Sequence, residues 1–184
     1  MSPGGHFITT AAACAVTAYA TGSVPITAAV AAGGFFIDVD HAADYVLFDR
    51  QRDLRPQAFL DYYVAGRMRY AVLVLHSYEL FAVLLAIAWW TQAPLLSGYL
   101  IGALIHLGLD ILFNGRITPY SITAFYSFGY RLAHRFDAVA LLGMVEHPRV
   151  ARGFWRMFFE GAPPLAPLSA TAPGRGSTVP DSLA

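Results

Sequence analysis

Three observations predict an all-α integral membrane bundle: about four transmembrane helices plus an interfacial or fifth helix. Hydrophobic residues make up 57% of the chain and charged residues only 13%, with a mean hydropathy of +0.50. That is too apolar for an ordinary soluble domain. Four apolar segments punctuate the first two thirds of the sequence, two of them of spanning length. All 12 basic residues are Arg, and every one lies outside those segments and the two short turns that pair them. A chain of 184 residues suits one domain, expected here over residues 1–160.

The first segment, Phe7 to Ala20, reads FITTAAACAVTAYA, and the second, Ile26 to Ile37, reads ITAAVAAGGFFI. Both are short for a span of about 20 residues. Their Ala, Gly and Thr content lets helices approach closely, so a tight hairpin is expected, joined by TGSVP. The third segment, Tyr70 to Trp90, and the fourth, Pro94 to Phe113, have full length and are joined by TQAP. Trp89 and Trp90 suit a membrane interface. Residues 121–160 alternate aromatic and basic positions, as in ITAFYSFGYRLAHRF, which fits an interfacial helix or a fifth packed one. From Gly161 the Pro/Ser/Gly/Ala-rich stretch 161–184 is expected to be a disordered tail.

With four crossings, residues 1–6, 38–69 and 115–184 share one side, which holds all the arginines. The positive-inside rule makes that side cytoplasmic. The inner membrane, multi-pass, with the C-terminus inside, is the expected location. No basic stretch opens the chain, so no cleaved signal peptide is expected. The formal net charge of zero gives no reason to expect a nucleic-acid partner; membrane lipids are the expected surroundings. Cys14 is the one cysteine, which excludes a disulfide within the chain and a Cys-based zinc site.

Ionisable residues in apolar helices are costly unless something compensates. His6 precedes the first segment; Asp38, Asp40 and His41 end the second; His76 and Glu79 lie in the third; His106 and Asp110 lie in the fourth. At about 1.5 Å per residue, His76 sits roughly 10 Å from the Arg-rich end of its helix, and His106 roughly 12 Å, with Asp110 about 6 Å nearer the surface. All four segments thus bring His or carboxylate groups to one side at compatible depth. His106 and Asp110 are four residues apart, on one helical face. Nitrogen and oxygen donors without Cys suit a divalent ion such as Zn²⁺ or Mn²⁺. His134 and His147, beside Arg135 and Arg149, read as solvated.

The order of these blocks, a His before a small-residue helix, then GGFFIDVDH, then HS, then HLGLDILFNGRITPYS, resembles that of the bacterial membrane-bound metal-dependent hydrolases, the YdjM-like family. The resemblance covers about residues 1–125. A Pro usual before the first Asp is Ile37 here, and the family's HRG before its His-Ser pair is missing. That family is in turn similar in ligand order to zinc-dependent phospholipases C and fungal single-strand nucleases. The resemblance implies two or more zinc ions held by His6, Asp38 or Asp40, His76, His106 and Asp110, with Asp110 best placed to bridge. His41 is supported by the same block, and which of Asp38, Asp40 and His41 touches an ion directly stays open.

The reading that follows is a metal-dependent hydrolase acting on a lipid or lipid-linked phosphoester at the cytoplasmic membrane edge. An Asp of the DVDH block (Asp40) or Glu79 would serve as general base. Arg67, Arg69 or Arg116 would hold a phosphate. The alternatives are an intramembrane metal or proton transporter and a non-catalytic membrane protein stapled by a structural ion. A transport path should cross the bilayer, and the far halves of the third and fourth segments offer no ionisable group.

Overall fold

The computed structural model describes residues 1–115, 118, 120–143 and 153–161. The tail beyond Gly161, Arg116 and His147 lie outside the described residues. Among the described residues the chain is all-helical, with one isolated bridge between Tyr70 and Asp137.

Helix α1 (Pro3–Thr21) begins at Ser2, whose hydroxyl accepts the Gly5 amide, with Pro3 in the first turn. It stops at Gly22, which takes φ 61° and donates its N–H to the Ala18 carbonyl. Ser23 then caps α2 (Val24–Phe36), so the two helices fold back within two residues. After Ile37 and Asp38 the axis bends by 41° into α3 (Val39–Ala43), which continues as a π-turn over Asp44–Phe48. Then come α4 (Pro56–Val64), α5 (Tyr78–Thr91) and α6 (Pro94–Asn114).

Helices α2 and α6 form the spine. Gly98 lies against Ile26 and Ala29, Gly102 against the Val30 carbonyl, and Gly33 against the Tyr99 carbonyl. Matching residues rise together, so the two helices run parallel, and the α1–α2 and α5–α6 turns share one end. A Cβ on Gly33 would sit 1.9 Å from the Tyr99 oxygen, and one on Gly102 would sit 2.1 Å from the Val30 oxygen. Only glycine permits this backbone approach.

The bundle differs from the expected four crossings. Among the described residues only α6, 21 residues with a mean hydropathy of 1.8, is long and apolar enough to span a membrane. A second candidate exists only if bent α2 and Val39–Phe48 count as one span. Helix α1 has the length, but its Thr and Gly residues and His6 keep it below the hydropathy of a span. The third segment fails because residues 70–77 are not helical, and α5 is left with 14 residues. Their amides are bound instead by aspartates: Val72 and Leu73 donate to Asp44 Oδ2 at 2.7 and 3.1 Å, and Leu75 and His76 donate to Asp40 Oδ2 at 2.9 and 3.2 Å.

Among the described residues the interfacial or fifth helix is not one piece either. Residues 121–160 contain the short helices α7 (Ile122–Phe125), α8 (Phe128–Ala133), α9 (Ala138–Leu142) and α10 (Phe154–Glu160). Arg135 and Phe136 take left-handed φ angles of 54° and 57° and break the run. Phe125, Tyr126 and Leu141 join the core beside Leu107 and Ala103 of α6.

Candidate metal centre

The end of the bundle opposite the two tight turns gathers His6 from α1, Asp38, Asp40 and His41 from the α2–α3 bend, His76 from the non-helical segment, and His106 and Asp110 from α6. His106 Nδ1 lies 2.9 Å from the Gly34 carbonyl. A carbonyl only accepts, so Nδ1 carries the proton and Nε2 faces the cluster. His76 Nδ1 lies 3.0 Å from both oxygens of Asp40, which aims its Nε2 the same way. A carboxylate or carbonyl behind an imidazole is the usual support of a metal-binding histidine.

Nε2 of His76 and Nε2 of His106 are buried and have no hydrogen-bond partner. Facing them are Asp38 Oδ1, at 3.5 Å from His76 and 3.3 Å from His106, and Asp110 Oδ2, at 3.7 and 3.5 Å. These separations are long for hydrogen bonds. They match the roughly 3.4 Å between ligand atoms set tetrahedrally about 2.1 Å from one ion. Orphaned buried nitrogens and converging carboxylate oxygens are a donor set that a divalent cation fits.

The remaining groups surround this core. Asp110 Oδ1 accepts from His6 Nε2 at 2.9 Å, Asn114 Nδ2 at 2.9 Å and the Met1 amine at 2.8 Å, leaving Oδ2 for the cluster. The His6 ring stacks on His106 at 3.6 Å. His41 Nε2 lies 3.7 Å from Asp38 Oδ1, and Tyr63 donates its hydroxyl to the His41 carbonyl. Nδ1 of His6 and of His41 are also buried without partners. The Asp38 side chain is 39% exposed, whereas His76, His106, Asp40 and Asp110 are buried, so the centre opens at Asp38. Phe36 and Val39, both exposed, flank that opening in sequence. Burial alone would lower the His76 imidazole, but Asp38 and Asp40 outweigh it and raise it to about 9.

Several expected roles change. Asp40 has both oxygens on His76 and two amides on Oδ2, so it orients His76 and is not a free base. Glu79 accepts from the Ser127 hydroxyl at 2.7 Å and from the Phe128 and Gly129 amides at 2.8 and 3.1 Å. Those donors outweigh its desolvation and hold it at about 2, where it binds the first two amides of α8 beside the Ser127 cap. Arg67 pairs with Asp61 at 2.5 Å and lies over Tyr62, with Tyr62 and Tyr63 meeting edge-to-face between it and His41. Arg69 contributes its amide to Asp49. Neither arginine is placed by a contact with the cluster.

Two aspartates absent from the sequence reading hold the backbone of the segment that carries His76. Asp44 and Asp49 continue the face begun by Asp40. The spacing of four then five residues stays on one face because the π-turn, with the Asp49 amide on the Asp44 carbonyl at 2.9 Å, absorbs one extra residue. Three aspartates at that spacing were the available signal. No protein-family model, curated protein or solved structure matches the chain.

Proposed function

We propose that the protein is a membrane-attached, metal-dependent hydrolase acting on a phosphoester of a lipid or lipid-linked substrate. The observation that carries this reading is the set of four converging atoms, His76 Nε2, His106 Nε2, Asp38 Oδ1 and Asp110 Oδ2, whose spacing suits one ion. The order of these residues along the chain, with its resemblance to the YdjM-like hydrolases, supports it. A divalent ion held there by His76, His106, Asp38 and Asp110, Zn²⁺ or Mn²⁺, would supply polarisation of a phosphoryl oxygen and activation of water near pH 7.

The chain's own residues do the rest. Gly34 and Asp40 fix the tautomers of His106 and His76, so both present a lone pair to the ion. Asp38 stands at the opening, where a phosphate group would enter, with His41 Nε2 beside it at 3.7 Å. The apolar side chains of Phe36 and Val39 next to Asp38 suit a substrate with a hydrocarbon part.

Membrane attachment rests on the surface of the other end. No His, Asp, Glu, Lys or Arg occurs in residues 7–37 or 80–105. Tyr19, Trp89 and Trp90 are 95%, 81% and 88% exposed near the two tight turns. We place this end in the bilayer and the centre at the cytoplasmic headgroup level, with α6, among the described residues, the one helix both long and apolar enough to span. The absence of ionisable groups toward that end also favours a hydrolase over a transporter.

The test is hydrolysis of a panel of lipid phosphoesters by purified protein. Activity lost to a chelator and regained with Zn²⁺ or Mn²⁺ is the expected result, with His106→Ala inactive. Metal-replete protein that hydrolyses nothing, with its ions closed to water, would favour the structural staple instead.

A further inference from the structure

The segment that delivers His76 is gripped from two sides. Its amides go to aspartates: Arg69 and Tyr70 to Asp49, Val72 and Leu73 to Asp44, Leu75 and His76 to Asp40. Three of its carbonyls go to one arginine. Arg131 Nε donates to Val72 O at 3.1 Å, Nη2 to Leu73 O at 2.9 Å, and Nη1 to His76 O at 3.1 Å and Phe125 O at 2.6 Å. Arg131 is 0% exposed, and among the described residues no carboxylate lies within ion-pair distance of it. A buried guanidinium spent wholly on main-chain carbonyls is costly unless charge elsewhere opposes it. Asp40, Glu79 and Asp44 supply that charge.

The grip holds an otherwise unfavourable backbone. Leu73, a residue with a Cβ, sits at φ 42° in the centre of the segment. Such a conformation persists where surrounding contacts over-determine it. Here the Leu73 amide is bound by Asp44 and its carbonyl by both Arg131 and the His76 amide. His76 itself is held at three points: amide and Nδ1 by Asp40, carbonyl by Arg131.

We propose that Arg131 is a positioning residue for the metal centre, which clamps the carbonyls of Val72, Leu73 and His76 against the aspartate ladder so that His76 Nε2 is aimed before an ion arrives. The proposal rests on the metal-centre reading above. It requires the planar fork of arginine, because the four carbonyls are reached from three different nitrogens of one plane, which a lysine ammonium does not span.

The test uses the full-length protein and Co²⁺ alone, whose visible spectrum reports coordination geometry. Arg131→Lys, with helical content unchanged by circular dichroism, should bind Co²⁺ about 10–100-fold more weakly and with an altered spectrum. His134→Ala should match the wild type in both. A wild type that takes up no Co²⁺ overturns the metal-centre reading itself. A wild type that binds, alongside Arg131→Lys binding equally well with the same spectrum, overturns the clamp alone. If Arg131→Lys does not fold, hydrogen exchange on the metal-free wild type decides. Amides of 72–76 as protected as those of α6 support pre-positioning, and exchange that slows only on adding Co²⁺ refutes it.

Discussion

Asp38 and Asp40 stand two residues apart yet have different work. Asp38 turns Oδ1 toward three imidazoles at the open side, whereas Asp40 is consumed by His76 and two amides. Asp38→Asn should therefore abolish stoichiometric metal uptake, read by elemental analysis. Asp40→Asn should keep the site and weaken affinity by about 10–100-fold. Equal losses from both, or from the control His134→Ala, would point to unfolding instead of a ligand map. His76 adds a pH dependence. Its folded-state value is raised from 6.5 to about 9, so in the metal-free protein its stabilising effect is full below about pH 6.5 and is lost as pH rises through about 9. An ion takes the place of that proton, so metal affinity should climb across the same window. Thermal unfolding with and without Zn²⁺ from about pH 6 to 10 reads both trends. A metal-free protein that gained stability over that range would contradict this assignment.

At the scale of elements, the centre depends on how closely α2 and α6 approach. The His106 bond to the Gly34 carbonyl exists because Gly33 and Gly102 let the two backbones touch. Gly102→Ala forces a Cβ onto the Val30 carbonyl and should cost about 1–3 kcal/mol of stability. It should also weaken metal binding, since His106 loses its anchor. Gly108→Ala on the same helix meets nothing within 4 Å. It should be neutral or stabilise by up to about 1 kcal/mol, because Ala replaces Gly in a helix interior. Denaturant unfolding of the two variants separates close packing from helix propensity. If both behaved alike, the parallel contact would not be what holds α2 against α6.

On the scale of the whole molecule, charge and chemistry lie at one end and apolar surface at the other. Should the apolar end enter the bilayer, Trp89 and Trp90 will be quenched by lipids brominated along the chain, and Trp155 of α10 much less so. Helix α10 packs at the start of α1, where Gly4 faces Phe159, and so belongs to the end that carries His6. Variants retaining only Trp89 and Trp90, or only Trp155, give the comparison. Equal quenching of the two sets would place the whole chain, not one end, in lipid. A reporter at Thr91–Ala93 should lie across the membrane from one at the C-terminus; both on one side would mean that α6 does not cross.

Residue chemistry and helix-face spacing were legible along the chain. His106 and Asp110 share a face by their spacing alone, and the small residues of the first two segments announced close helix packing. The expectation that His6, Asp38, His76, His106 and Asp110 share one end rested on depth along four helices, and for His76 that helix is not formed, since residues 70–77 are non-helical. The tertiary structure decided what spacing could not. A run such as YAVLVLHS has the composition of a helix, and its local preference is apolar and continuous. Its amides nevertheless bind Asp40 and Asp44, and its carbonyls bind Arg131, 55 residues beyond His76. Those long-range hydrogen bonds outweigh a helix propensity worth only tenths of a kcal/mol per residue, so they shorten α5 and divide the roles of Asp38 and Asp40.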